Sequence, residues 1–419
     1  MKYNYEQVVN KILSTPLWGS ETGVVVFGKM LEKLGNPQNG IPFVHVAGTN
    51  GKGSTTAFLC KILEQTGKKV GMFTSPHLVK FEERIRINGT YISREDVERL
   101  GNFLFQTEFE IPPTMFDYCL AMAVLYFKEQ QCDIMVIETG IGGRFDSTNA
   151  LGVPEVAVIT KIGWDHMAIL GDSIEKIAYE KAGIIKKGCS VVTCQQQPEV
   201  EAVIRDCYSD EKGIFIPTEE DCQFVERLPK KMVGKYQVEN AAVAMIVAKI
   251  ILQKEMLQLP TIEEYVRKGI GETLWKGRME IVNENPLFMI DGAHNSNGVT
   301  ALAKGLKALY PEEKFHFIMG VMADKDYEEM IEVLLPLAID FITVTPEHSR
   351  ALQSEDLAEC IQKKGIPARF AENMETVIRP LLPKADVTDI SLKENEKTIA
   401  FGSLYFIGQI EAMLTENDR

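Results

Sequence analysis

The chain has 419 residues, 45% of them hydrophobic and 25% charged, a balance that excludes disordered and fibrous classes and leaves room for two or three ordinary domains. Lys and Arg total 45 against 59 Asp and Glu, a net charge of −14, so a nucleic-acid surface built on phosphate contacts is not expected. No run approaches the ~18–20 apolar residues of a membrane span, and the eight cysteines follow neither C-x-x-C nor zinc spacing, which fits reduced thiols in a cytosolic protein.

The opening Met1-Lys2-Tyr3-Asn4-Tyr5-Glu6 lacks the charged-then-apolar layout of a signal peptide, so a cytoplasmic location is expected. The first strand is expected at 43–47, Phe43-Val44-His45-Val46-Ala47. It runs into Gly48-Thr49-Asn50-Gly51-Lys52-Gly53-Ser54-Thr55, and a helical stretch follows from Ala57 to Gln65. A strand, a glycine-rich turn and a helix start in that order make a phosphate cradle. Backbone N–H groups converge on phosphate oxygens, and the helix N-terminus adds the positive end of its dipole. Lys52 would reach the β- and γ-phosphates of a nucleotide, and a hydroxyl of Ser54 or Thr55 would ligate Mg²⁺. The spacing is not the common G-x-x-x-x-G-K-[ST]: Val46 stands where that pattern needs glycine, and Gly53 stands where it needs a hydroxyl.

Further strands are expected at 70–74, 134–138, 156–160 and 190–193, with helices at 114–130 and 174–184 between them. Continuous apolar strands spaced by helices predict a parallel sheet covered on both faces. After the strand at 70–74 come Thr74-Ser75-Pro76-His77 and then Arg84–Gly89, readable as a substrate loop or as a plain connector. The run Lys80–Arg86 is either a local concentration of positive charge or a solvated mixed-sign segment.

The strand at 134–138 ends in Glu138. A carboxylate there, downstream of a phosphate loop, holds Mg²⁺ or orients a nucleophile in many nucleotide hydrolases, although acidic residues at strand exits are common. The polar, glycine-rich Gly140–Asn149 follows, a loop suited to pass close to a ligand. His166, after the next strand, can ligate a metal as neutral imidazole, or cap a helix and pack on Trp164. On residue type alone Lys181 reads as an ordinary lysine near a helix end. Asn240 starts a long helix, 240–257, where it can serve as a cap or reach an adenine edge.

The strand–helix rhythm restarts after Gly271–Gly277. Strands are expected at 287–291, 315–319, 339–344 and 398–401, and helices at 298–309, 326–335, 355–364 and 375–382, a smaller Rossmann-like unit. Arg278, near its start, is a surface charge or a cation that reaches a phosphate across the domain interface. Asp291 and His294 leave the first strand together in the string Asp291-Gly292-Ala293-His294-Asn295-Ser296-Asn297. They could orient or deprotonate an amine and meet a phosphoryl group, while the following residues cap a helix.

Taken in order, the octet at 48–55, Thr74–Leu78, Glu138–Asn149, Trp164-Asp165-His166, Tyr179–Lys186 and the D-G-A-H-N string resemble the Mur ligase family, and within it the folylpolyglutamate synthase / dihydrofolate synthase branch. The resemblance implies an α/β fold: a P-loop-containing parallel-sheet ATPase domain with a folate-binding loop over 1–275, and a smaller Rossmann-like ligase domain over 276–419. It implies an ATP-dependent ligase that adds L-glutamate to a folate, with dihydropteroate as a second acceptor, through an acyl phosphate. Catalytic roles then fall to Lys52, Asp291 and His294. ATP would be held by Thr49, Asn50, Gly51, Lys52, Gly53, Ser54, Thr55, Asn240, Arg278 and Asp291. Two Mg²⁺ sites would draw on Ser54, Ser75, Glu138, His166 and Lys181, the last carrying a CO₂-derived carbamate that turns a cation into an anionic oxygen ligand. Thr74, Pro76, His77 and Arg84 would line the folate site, and a monomer is expected.

Two rivals remain. A ligase for UDP-linked muramyl peptides would carry an added N-terminal domain, and the 42 residues before the first strand leave no room for even a small one of ~50 residues. A P-loop switch protein would show an N-K-x-D string, which Ala323-Asp324-Lys325-Asp326 does not fit.

Overall fold

The computed structural model describes residues 2–208, 212–383 and 396–417. The described residues fall into two compact bodies, one within Met1–Lys231 and Val238–Thr273, the other within Met232–Gln237 and Leu274–Arg419.

The first body is built on eight strands: β1 Phe43–Ala47, β2 Val70–Phe73, β3 Ile85–Ile87, β4 Thr90–Tyr91, β5 Ile134–Glu138, β6 Val156–Ile159, β7 Ser190–Thr193 and β8 Ile214–Phe215. Their order across the sheet is β4-β3-β2-β5-β1-β6-β7-β8. All neighbours are parallel except β3, which runs antiparallel to both β2 and β4. Every residue of β1 and β5 is buried, as expected for central strands covered on both faces. Val46 lies opposite Glu138 in the register, so the loop after β1 and the carboxylate of β5 emerge side by side at the carboxyl edge. Phe43, Phe73, Met135 and Ile137 pack with Leu120, Val124 and Phe127 of the helix Met115–Glu129. The helix Lys52–Glu64 packs on β1, β2 and β5 and against the helix Leu259–Glu272.

The long helix expected at 240–257 is Lys235–Lys254, so Asn240 lies inside it and does not cap it. Two further departures have local causes. The helix after β1 begins at Lys52, not at Ala57, because Gly51 takes a left-handed conformation and serves as its N-cap. The polar stretch after Arg84 pairs as β3 and β4, its turn made by Asn88 and Gly89, both at positive φ.

The second body carries β9 Glu280–Glu284, β10 Leu287–Asp291, β11 Phe315–Met319, β12 Ala338–Thr343, β13 Ala368–Phe370 and β14 Lys397–Phe401. The order is β13-β12-β11-β14-β10-β9, with only the edge strand β9 antiparallel. Phe317 anchors its core, stacked on Phe341 at 5.2 Å and edge-on to Phe401 at 5.7 Å. The helix expected at 375–382 is shorter, Met374–Ile378, and continues as a 3-10 turn Arg379–Leu381. Pro380 supplies no backbone N–H and ends the α-helical ladder.

Candidate active site

The turn after β1 is shaped by two glycines. Gly48 has φ 152° and Gly51 φ 90°. A Cβ on Gly48 would collide with the Thr160 side chain, and one on Gly51 with the Asn240 side chain. The loop is pinned to the exit of β6: Thr49 and Asn50 donate their N–H groups to Lys161 O at 2.9 and 3.1 Å. Thr49 Oγ1 also donates to Gly163 O at 3.0 Å and accepts from Gly163 N at 3.1 Å. The N–H groups of Lys52, Gly53 and Ser54 are in the first helical turn, where no intrahelical acceptor exists, and they converge with the positive dipole end. The turn is therefore an anion cradle with Asn240 beside it.

Three charged side chains meet at that cradle. Lys52 Nζ donates to Gly48 O at 3.1 Å and lies 4.0 Å from Glu138 Oε1. Glu138 is buried at the end of β5, and its Oε2 accepts the Ser75 N–H at 3.3 Å. Lys181 is only 3% exposed, and its Nζ donates to Gly48 O at 2.9 Å. Burial first, and then the positive charge of Lys52, push the Lys181 ammonium down to about 7, against the pull of Asp165 and Asp146. A lysine that reads as ordinary in the sequence is thus a buried, partly neutral amine at the phosphate loop.

The loop after β5 is organised by a residue that the sequence reading passes over. Asp146 is buried within it. Its Oδ2 accepts the N–H groups of Gly140 and Ile141, each at 3.0 Å, and its Oδ1 accepts the N–H and hydroxyl of Thr148. Burial pushes this carboxyl up, and the Thr148, Ile141 and Gly140 donors oppose it. Thr148 Oγ1 also meets His45 Nε2 at 2.8 Å. Burial pushes the His45 imidazole down to about 3, so it is neutral. Next to Asp146, Ser147 Oγ donates to the buried Asp117 at 2.6 Å. The sequence signals were a histidine in an apolar strand and an aspartate in a glycine-rich loop, neither of which announces a shared network.

Thr74, Ser75, Pro76 and His77 leave β2 beside this loop. Thr74 N donates to Arg84 O at 3.0 Å, and Arg84 Nε donates to His77 Nδ1 at 2.8 Å. His77 is pushed down to about 3 by burial and by Arg84, so its neutral ring accepts from the guanidinium. The run Lys80–Arg86 is folded inward: Glu83 caps the N–H groups of Leu78, Val79 and Lys80 at 2.8, 3.0 and 2.8 Å, and Arg86 lies 4.7 Å over the Tyr91 ring. His166 stands at a left-handed φ of 51° at the head of the short helix Met167–Leu170, its Nε2 3.8 Å from Asp165 Oδ2.

In the second body Asp291 is buried at the end of β10. Its Oδ2 accepts from Met279 N at 2.8 Å and Tyr236 OH at 3.1 Å, and its Oδ1 from Ala293 N at 2.7 Å. Burial pushes its carboxyl up, opposed first by Arg278. Arg278 Nη1 donates to Gly277 O at 2.9 Å, and His294 Nδ1 lies 2.8 Å from Gly292 O. Asn295 caps the helix Ser296–Leu309 by accepting Gly298 N at 2.8 Å. Tyr236, which lies 55 residues before Asp291 in the chain, is a partner that spacing could not reveal.

Lys52, Ser75, Glu138 and Lys181 therefore meet at one edge of the first sheet, Thr74, His77 and Arg84 form the loop beside them, and Arg278, Asp291 and His294 share one end of the second sheet. No cluster of three or more His, Cys, Asp and Glu side chains with metal-ligand geometry occurs among the described residues. What the cradle offers a cation is a buried carboxylate, Glu138, and the hydroxyl of Ser54 in the first helical turn. That donor set fits Mg²⁺, which prefers oxygen and completes its shell with phosphate oxygens and water.

Comparison with known proteins agrees with this geometry. Residues 46–248 match the Mur ligase middle domain and residues 277–392 the Mur ligase glutamate ligase domain. The dihydrofolate synthase/folylpolyglutamate synthase of Bacillus subtilis is 36% identical over 427 residues, covering 95% of this chain and 96% of that protein. The structure of E. coli FolC in complex with DHPP and ADP superposes with a TM-score of 0.84 at 26% identity, covering 100% of this chain and 99% of that one. An FPGS–AMPPCP–folate complex superposes with a TM-score of 0.80 at 30% identity, covering 98% of this chain and 100% of that one.

Proposed function

The chain belongs to the Mur ligase family, in its folylpolyglutamate synthase / dihydrofolate synthase branch, and we infer from its cradle how it performs ATP-dependent addition of L-glutamate to a folate. The observation that carries the reading is the convergence of Lys52, Glu138 and Lys181 on the glycine turn after β1.

The triphosphate would lie on the N–H groups of Gly51, Lys52, Gly53 and Ser54, beside Thr49, Asn50 and the side chain of Thr55, whose own N–H donates to Gly51 O at 2.9 Å. Lys52 would leave the Gly48 carbonyl for the β- and γ-phosphates. Asn240, next to Gly51, suits the adenine edge, and Arg278 a phosphate. Bound Mg²⁺ would neutralise charge on the transferring phosphoryl group. Ser54 and Glu138 would hold one ion, and Ser75, Glu138, His166 and a carbamylated Lys181 a second. Only a neutral amine adds CO₂, and a group held near 7 supplies that form at neutral pH, whereas an ordinary lysine at about 10.4 does not.

The γ-phosphoryl group passes to the substrate carboxylate, ADP leaves, and an acyl phosphate forms. The amine of glutamate attacks the acyl carbon, loses a proton, and phosphate departs as the amide forms. Positioning and charge neutralisation dominate such a sequence. His294 is suited to accept the amine's proton. Asp291, held by three donors, is suited to orient the Arg278–Met279 turn and the phosphoryl group. Thr74, Pro76, His77 and Arg84 would border the folate. The ATP-binding part is taken as residues 1–275 and the ligase part as 276–419, in a cytoplasmic monomer. No helix among the described residues is long and apolar enough to cross a membrane.

Dihydropteroate as a second acceptor is tested by comparing ADP formation with dihydropteroate and with tetrahydrofolate, each with glutamate. Glutamate-dependent turnover on both is expected; turnover on tetrahydrofolate alone would restrict the enzyme to chain extension.

A further inference from the structure

We propose that His45 is a positioning residue for the metal-holding end of β5, acting through Thr148 and Asp146. The proposal rests on reading Glu138 as a metal-holding carboxylate.

His45 lies in β1, three residues before Gly48 and in the strand next to β5. Its Nε2 meets Thr148 Oγ1 at 2.8 Å, and the same hydroxyl donates to Asp146 Oδ1. A hydroxyl has one proton. With that proton on the carboxylate, the imidazole must be the donor, which fixes the Nε2–H tautomer. Its Nδ1 is then an unprotonated, buried nitrogen without a hydrogen-bond partner. The second oxygen of Asp146 holds the N–H groups of Gly140 and Ile141, the second and third residues after Glu138. A continuous polar chain therefore joins the strand that feeds the phosphate loop to the loop that leaves the carboxylate.

Space filling alone does not account for an imidazole here. An orphaned buried acceptor loses its hydration without compensation, and a valine, like Val44 and Val46 on either side of His45, would carry no such group. What the imidazole adds is its donor at Nε2. Because Asp117 separately anchors Ser147, the loop keeps its path when the His45 link is cut, and what changes is how tightly Gly140 and Ile141, and with them Glu138, are held.

Three variants and one spectrum test this in the full chain. His45→Leu and Thr148→Val each remove the link, whereas the amide of His45→Gln can reach the Nε2 position. Outer-shell partners of metal ligands are generally worth roughly 10–100-fold in affinity or activity. We expect the Mg²⁺ concentration for half-maximal activity to rise by that order in His45→Leu and Thr148→Val, to stay near the wild-type value in His45→Gln, and to be no worse in the double variant than in Thr148→Val alone. A mere loss of folded protein would lower kcat and leave the Mg²⁺ requirement unchanged. Nitrogen-15 NMR of labelled histidine should show one ring that carries its proton on Nε2 and does not titrate across the neutral range. An Nδ1–H tautomer, a wild-type Mg²⁺ requirement in Thr148→Val, or fully additive losses would overturn the proposal. If His45→Leu does not fold, Thr148→Val decides. Glu138→Gln separates the premise: full activity there refutes the metal reading, while the spectrum still judges the tautomer.

Discussion

Lys52 and Lys181 donate to one and the same carbonyl oxygen, that of Gly48, at 3.1 and 2.9 Å. Burial first, and then the charge of Lys52 on the same acceptor, hold Lys181 near 7. On the proposed reading Lys52 serves the phosphates and Lys181 is the amine that takes up CO₂.

The first prediction follows from that pair. Removing dissolved CO₂ should lower kcat, and bicarbonate should restore it. Carbon-13 NMR with labelled bicarbonate should show a carbamate signal that Lys181→Gln lacks. Below pH about 7 the protonated amine dominates, so the carbamate signal should fade on acidification. An unlabelled Lys181 with CO₂-independent turnover would leave Lys181 an amine whose role is to hold Gly48.

Lys52→Ala should lower kcat at least ~100-fold, on the scale of losing one preorganised electrostatic donor. It should fold normally, because Lys52 is a first-turn residue whose Nζ bonds only loop carbonyls besides facing Glu138. Far-UV circular dichroism and thermal unfolding check the fold, and single-turnover ADP formation checks the chemistry.

Gly51→Ala places a Cβ at φ 90° and against Asn240. The backbone strain costs about 1–3 kcal/mol, and the displaced Asn240 and loop should weaken ATP more than folate. Calorimetric titration with a non-hydrolysable ATP analogue reads the effect, and equal losses for both ligands would contradict it.

Glu411 gives a pH signature in the second body. It is fully buried, pairs with Lys276, and is pushed up to about 7, first by burial and then by Glu280. Its folded pKa lies above the unfolded value, so between the ordinary glutamate value of 4.5 and about 7 the folded state binds more protons, and stability falls as pH rises through that window. Glu411→Gln should flatten this slope and raise the unfolding temperature by a few degrees above pH 7, with little gain near pH 4. A variant that unfolds earlier at both pH values would show that the Lys276 pair outweighs the burial cost.

The sequence made the central architecture legible because its physics is local. Five-residue apolar strands such as Phe43–Ala47 and Ile134–Glu138, each running into glycine and polar residues, mark a covered parallel sheet and its ligand edge. Lys52 and Glu138 were singled out for the same reason, one opening the helix after the glycine turn and the other closing its strand. The rest depends on partners distant in the chain. Lys181 becomes unusual only because it is buried against Gly48, 133 positions away. His77 accepts a hydrogen bond from Arg84, which belongs to a run whose charges left a basic patch and a solvated segment equally open. Asp146 reads as loop polarity until its four donors are counted, and Tyr236 meets Asp291 through tertiary packing alone.

Glutamate ligation driven by ATP is tested most directly by phosphate release from the purified protein with ATP and glutamate, adding in turn a reduced folate, dihydropteroate and a UDP-muramyl peptide. Release that requires glutamate together with a folate or pteroate, and that is absent with the muramyl compound, is the predicted result. Release independent of the acceptor, or supported only by the muramyl peptide, would contradict it.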